Sequence, residues 1–233
     1  MDTPHAVTGP PACASSACAS SAFAPFAALA GSLLARIAPT DDGSHDSAHL
    51  RRVWVNARAI LAGEAADAEI VAAAVLLHDC VAVEKSSPLR AQASRLAAAR
   101  ARDVLAGLGW ASERIEAVAH AIAAHSFSAD IAPQTIEARI VQDADRLDAI
   151  GCIGVARCFY TAGRMGSALY DADDPRAATR PLDDARYALD HFRAKLLGLH
   201  EGFQTETGAR MAAERARRIA GFLTDFEHEI GAD

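Results

Sequence analysis

The segment AEIVAAAVLLHDC, residues 68–80, constrains this 233-residue chain more than any other, because an almost unbroken run of apolar side chains closes on the adjacent pair His78 and Asp79. Taking an imidazole and a carboxylate out of water is expensive unless both are used. The pair therefore bonds internally or binds a metal, and other fragments supply what one ion would need. Upstream lies SAHLRRVWV with His49; downstream lies VQDADRLDAIG with Asp143, Asp145 and Asp148. A helical bundle gathers single ligands from several helices, since one helix cannot wrap an ion with its own residues. His49, His78, Asp79 and an aspartate of the last fragment would give two nitrogens and two carboxylate oxygens. That donor set suits a six-coordinate divalent ion, Mn²⁺ or Mg²⁺ first, with Co²⁺, Ni²⁺ and Fe²⁺ also accommodated.

The chain is rich in Ala, Leu, Arg and Glu and poor in β-branched runs, so an all-α fold is expected, a single helical bundle over residues 23–233. Residues 1–22, with ACASSACASSA, read as a low-complexity, disordered tail. Apolar spacing and capping signals place helices at about 26–37, 47–62, 67–79, 89–107, 112–126 and 208–229. Pro133 opens the helix that carries DADRL. Leu182, Ala185, Leu189, Phe192, Leu196 and Leu199 recur at three- and four-residue steps, a seam for one helix face or for a homo-oligomer contact.

A formal charge of −7 and only two lysines, Lys85 and Lys195, argue against a polyanion-binding surface and hence against a nucleic-acid polymer as partner. The five cysteines, at 13, 18, 80, 152 and 158, lack C-x-x-C spacing and are odd in number, so neither a disulfide framework nor structural zinc is expected and a reducing cytoplasm is the simplest home. No Lys or Arg precedes Arg36, and prolines break the N-terminal stretch, unlike a secretory signal. No run of about 20 predominantly apolar residues predicts a membrane span.

Taken in order, H-x-x-R-V, L-L-H-D and D-A-D-R-L-D-A-I-G resemble the motifs of the HD-domain metal-dependent phosphohydrolases. With the opening HDSAHLRRV and the continuation GVARCF, the chain looks most like their small bacterial branch of YpgQ/YedJ-like nucleotide pyrophosphohydrolases, over roughly residues 40–230. The resemblance implies an HD-domain bundle with one divalent ion held by His49, His78, Asp79 and Asp145. It also implies hydrolysis of a nucleotide, foremost a nucleoside triphosphate to monophosphate and pyrophosphate by water attack at the α-phosphorus. Monophosphatases and phosphodiesterases belong to the same superfamily and stand as alternatives. Two readings of other classes are an HD-type di-iron oxygenase and a non-catalytic ligand-binding module.

Aligning the family's A-D-R/K-L pattern puts the last ligand at Asp145, whereas a helical wheel groups Asp143 with Ile136, Ile140, Leu147 and Ile150 and makes it the more buried carboxylate. With Asp145 as ligand, Asp143 would hold a ligand imidazole and Asp148 would cap or pair. Asp79, Asp145 and Glu84 are the candidate catalytic groups, Glu84 to orient or deprotonate water. Lys85 would reach distal phosphate oxygens as a point charge. Arg52, one turn after His49, would pair with Asp79 or Asp145 or touch substrate. His120 and His125 are each candidates for a phosphate contact or leaving-group acid, but point about 140° apart, so both should not reach one ion. His191, His200 and His228 read as structural.

Overall fold

A computed structural model describes residues 20–37, 47–83, 90–126 and 129–232. Among these residues the architecture is all-α: the only extended pairing is an isolated bridge between Ala168 and Tyr187. Helices α1 (Ala27–Leu34), α2 (Ser47–Leu61), α3 (Ala68–Leu77), α4 (Ala93–Ala106), α5 (Ser112–His125), α6 (Ile136–Asp148), α7 (Gly151–Met165), α8 (Ala188–His191) and α9 (Glu206–Glu229) follow in chain order.

Helix α3 is the axis of the bundle. Asp67 caps it, its carboxylate accepting the Glu69 and Ile70 backbone N–H groups at 3.0 and 3.2 Å, and every side chain from Ile70 to Leu77 is buried. With no polar face to keep wet, this helix must be covered on all sides, and α1, α2, α5 and α6 cover it. Its alanines let these neighbours approach closely. The amphipathic helices then turn Val53, Trp54, Ala57 and Ile60 of α2, Val118 and Ile122 of α5, and Ile140, Val141 and Leu147 of α6 into one core. Phe23 and Phe26 close its N-terminal end against Trp54, with ring centroids 6.1 and 5.9 Å away.

Several expectations change. The helix carrying DADRL starts at Ile136 under a Thr135 cap, not at Pro133, because the Thr135 hydroxyl accepts the Ala138 N–H. A separate helix, α7, follows it, and Gly151 at φ +71° makes the break: Arg215 of α9 packs 3.0 Å from where a Cβ would lie. The seam from Leu182 is only half helical. Leu182 and Ala185 lie exposed in a loop; regular helix begins at Ala188 and passes into one turn of π-helix, Phe192–Leu196. Arg180 clamps Asp190 at 2.5 and 2.9 Å while the Asp183 N–H donates to the same carboxylate at 2.7 Å, so polar bonds hold 180–187 in a loop that apolar spacing would have made helical. Beyond it, Leu189, Phe192 and Leu196 are buried as expected.

Of the N-terminal tail, residues 1–19 lie outside the described residues; Ser20 and Ser21 open a helical turn and Ala22 packs on the core. No helix among the described residues is long and apolar enough to cross a membrane.

Candidate metal centre

The core delivers its few buried polar groups to one place. His49 comes from α2, His78 caps the C-terminus of α3 with Asp79 next to it, His125 ends α5, and Asp145 and Asp148 lie one turn apart on α6. The Nε2 atoms of His49 and His78 are 3.2 Å apart. Asp79 Oδ2 stands 3.7 and 3.4 Å from them, and Asp145 Oδ1 3.5 and 3.8 Å. His49, His78 and Asp79 each offer a ligand atom within 4.8 Å of the others.

The outer nitrogens decide what the inner ones present. His49 Nδ1 donates to Asp148 Oδ2 at 2.8 Å, His78 Nδ1 to the Val75 carbonyl at 2.8 Å, and His125 Nδ1 to the Ile122 carbonyl at 2.6 Å. With Nδ1 engaged outward, each ring turns Nε2 inward. Two nitrogens facing each other beside two carboxylates make a donor set that a cation between them would satisfy. Both imidazoles are about 1% exposed, whereas the Asp79 and Asp145 side chains are 27% and 28% exposed, so the carboxylates mark the open side. The donor set fits a divalent ion with oxygen-rich, partly open coordination. The neighbouring Cys80 is not part of the cluster: its Sγ donates to the Ala97 carbonyl at 3.6 Å, and burial pushes the thiol up to about 11.

The supporting residues exchange the roles expected of them. Asp148, not Asp143, holds a ligand-type imidazole, and it also takes Arg52 Nε and Nη2 at 2.7 and 3.0 Å. Burial works to raise the Asp148 pKa, but the hydrogen bonds from His49 and Arg52 outweigh it and hold the carboxyl below its ordinary range. Arg52 thus pairs with Asp148. Asp143 is fully buried, as the wheel required, but it faces away from the imidazoles and accepts the Gln204 and Thr205 backbone N–H groups and the Thr205 hydroxyl, tying α6 to the start of α9. Burial raises its pKa, partly countered by these bonds.

His125 and His120 separate as their angular offset requires. His125 is buried against His78, ring centroids 4.9 Å apart, with Nε2 3.9 Å from Asp79 Oδ1. Burial, and then His78, lower its pKa and keep it neutral. His120 Nε2 instead accepts the Gln134 backbone N–H at 3.0 Å, so the structure does not bring it to the cluster. Glu84 and Lys85 lie outside the described residues. Asp148 pairs as expected and in addition holds His49, while Arg157, whose Nη1 lies 3.3 Å from Asp148 Oδ2, is support the sequence reading did not single out. The i, i+3 step from Asp145 to Asp148 was the available signal for the added role of Asp148.

An all-α bundle that focuses two histidines and an aspartate of an H…HD set on one point defines an HD-type metal site, and comparison with known proteins agrees. The sequence pattern of the HD domain family matches residues 47–150. The chain is 36% identical over 196 residues to the uncharacterized protein YpgQ of Bacillus subtilis strain 168, covering 82% of this chain and 87% of that protein. The crystal structure of Bacillus subtilis YpgQ in complex with ADP is similar with a TM-score of 0.63 at 35% identity, over 82% of this chain and 92% of that one. An HD-superfamily hydrolase from Bacillus thuringiensis gives a TM-score of 0.65 at 29% identity, over 92% and 97% of the two chains. The chain belongs to the HD-domain phosphohydrolases, related to their YpgQ-like branch. Fold and cluster together support a metal-dependent hydrolase.

Proposed function

We propose that this protein hydrolyses a nucleoside triphosphate to the monophosphate and pyrophosphate, with one divalent ion, Mn²⁺ or Mg²⁺, held by His49, His78, Asp79 and Asp145. The observation that carries the reading is the pair of inward-facing Nε2 atoms 3.2 Å apart beside two half-open carboxylates. Its nucleotide specificity draws support from the likeness to a YpgQ solved with ADP. When bound, a divalent ion supplies neutralisation of phosphoryl charge and a lowered pKa for a nearby water.

The chain's own groups do the rest. Asp148 holds the His49 ring with its Nε2 inward, and the Val75 carbonyl does the same for His78. His125 is neutral and already donates through Nδ1, so it offers an acceptor and suits orienting a water better than the phosphate-donor or leaving-group-acid role. Glu84 shares that water-orienting task, and Lys85 compensates distal phosphates. Asp79 and Asp145, on the open side, face the substrate. The partner is a small phosphorylated molecule.

The test is a panel of nucleotides and phosphate esters with Mn²⁺, Mg²⁺, Co²⁺ and Ni²⁺ that resolves phosphate from pyrophosphate. Pyrophosphate is expected as first product, and ¹⁸O from labelled water on the nucleoside monophosphate. Label in pyrophosphate, or orthophosphate released first, overturns attack at the α-phosphorus and favours a monophosphatase.

A further inference from the structure

His125 is the last residue of α5, and the chain leaves the helix at once, with Ser126 extended at φ −81° and ψ 128°. The final carbonyls of a helix have no partner within it, so a last turn frays unless other groups take them. Here three successive carbonyls are taken by side chains. Ile122 accepts His125 Nδ1 at 2.6 Å, Ala123 accepts Ser94 Oγ of α4 at 3.0 Å, and Ala124 accepts Gln142 Nε2 of α6 at 2.7 Å. All three donors are buried. The two helices packed along α5 thus each hold its end.

That end carries a ring of the metal centre. His125 packs edge-on against His78, centroids 4.9 Å apart, and its Nε2 stands 3.9 Å from Asp79 Oδ1. Ala124, whose carbonyl Gln142 takes, directly precedes His125 in the chain. Gln142 lies three residues before Asp145 on α6, so one helix carries both a carboxylate of the cluster and the clamp on the His125 turn. The amide is retained at a cost, because its buried Oε1 has no hydrogen-bond partner among the described residues. Methionine would fill a similar space without that unpaired oxygen; what it lacks is the N–H that reaches Ala124. We propose that Gln142 and Ser94 are positioning residues of the reaction, acting through the last turn of α5 to fix His125 Nε2 beside the metal centre. The proposal rests on reading the cluster as hydrolytic and His125 as the group that orients water.

The experiment follows hydrolysis of ATP, GTP, CTP and UTP by the full chain with Mn²⁺, beside Mn²⁺ affinity by calorimetry and long-range ¹H–¹⁵N spectra of the histidine rings without metal. Gln142→Met should lower kcat at least tenfold on the best of these substrates, with KM and Mn²⁺ affinity within twofold of wild type. Ser94→Ala, a smaller change that keeps the fold, should lower kcat three- to tenfold. His125→Ala keeps all four proposed ligands and hence measurable turnover, and in that background neither substitution should lower kcat further, because the ring they act through is gone. In both single variants the His125 ring signals should shift or broaden while those of His191 stay in place. Circular dichroism melts verify folding. Unchanged kcat in the folded variants, a loss of Mn²⁺ affinity as large as the loss of kcat, or a full further loss in the His125→Ala background would overturn the proposal. Failure of the hydrolytic reading is separate: wild type then turns over none of the four nucleotides, and the ring spectra decide, with unchanged His125 signals in both variants overturning the positioning role.

Discussion

At the scale of single residues, the site works through what lies behind each imidazole. An acceptor on Nδ1 fixes the tautomer and the direction of Nε2, and such outer partners commonly change metal affinity as much as a weak ligand does. Replacing Asp148 by Asn keeps the shape but removes the charge that takes the His49 N–H and steadies Arg52 and Arg157. Mn²⁺ affinity by calorimetry should then fall about 10- to 100-fold. An unchanged affinity would show that Asp148 is only a structural ion pair. His78→Ala and Asp79→Ala should abolish metal-dependent hydrolysis, with activity down by orders of magnitude after chelation and controlled metal return, while far-ultraviolet circular dichroism stays helical. Turnover near wild type in either variant would remove this cluster from catalysis.

At the scale of elements, polar caps decide where helices stop, and these were harder to read than apolar spacing. Asp143 ties α6 to the start of α9, and Arg180 with Asp190 keeps 180–187 out of α8. Asp174 organises the loop before it: its carboxylate accepts the Ala178 and Thr179 N–H groups, each at 2.8 Å, and the Thr179 hydroxyl at 2.9 Å. The bonds from the Thr179 and Ala178 amides hold its pKa down at about 2. In an unfolded chain an aspartate titrates near ~3.9. A depressed folded pKa gives a contribution that is whole above the unfolded value and disappears as pH falls through the folded one, so the loop should loosen between about pH 4 and pH 2. Hydrogen exchange at the Ala178 and Thr179 amides, corrected for intrinsic rate, should rise across that window and already be fast at neutral pH in Asp174→Asn. Flat protection down to pH 2 would contradict the assignment.

At the scale of the molecule, the metal centre sits where α2, α3, α5 and α6 meet, so binding there should be felt by the whole fold. A ligand taken only by the native state stabilises it by about 2.7 kcal/mol at 100 times its Kd. For a chain of this size each kcal/mol corresponds to roughly 2–4 °C in Tm. Saturating Mn²⁺ should raise the melting temperature by several degrees, a chelator should reverse the rise, and His78→Ala should show none; equal shifts in the variant would place the ion elsewhere. The all-α class, the buried α3 and the grouping of His49, His78 and Asp79 were legible in the sequence, because apolar period and the order of short motifs are properties of the chain alone. Which aspartate of VQDADRLDAIG does what was not. Asp143, Asp145 and Asp148 share one helix and one chemistry, and only the packing of α2 and α9 against α6 turns the first to a helix cap, the second to the imidazoles and the third to His49 Nδ1. The split between α6 and α7, the loop at 180–187 and the clamping of α5 by Ser94 and Gln142 likewise depend on contacts between residues far apart in the chain, which periodicity, a local quantity, does not encode.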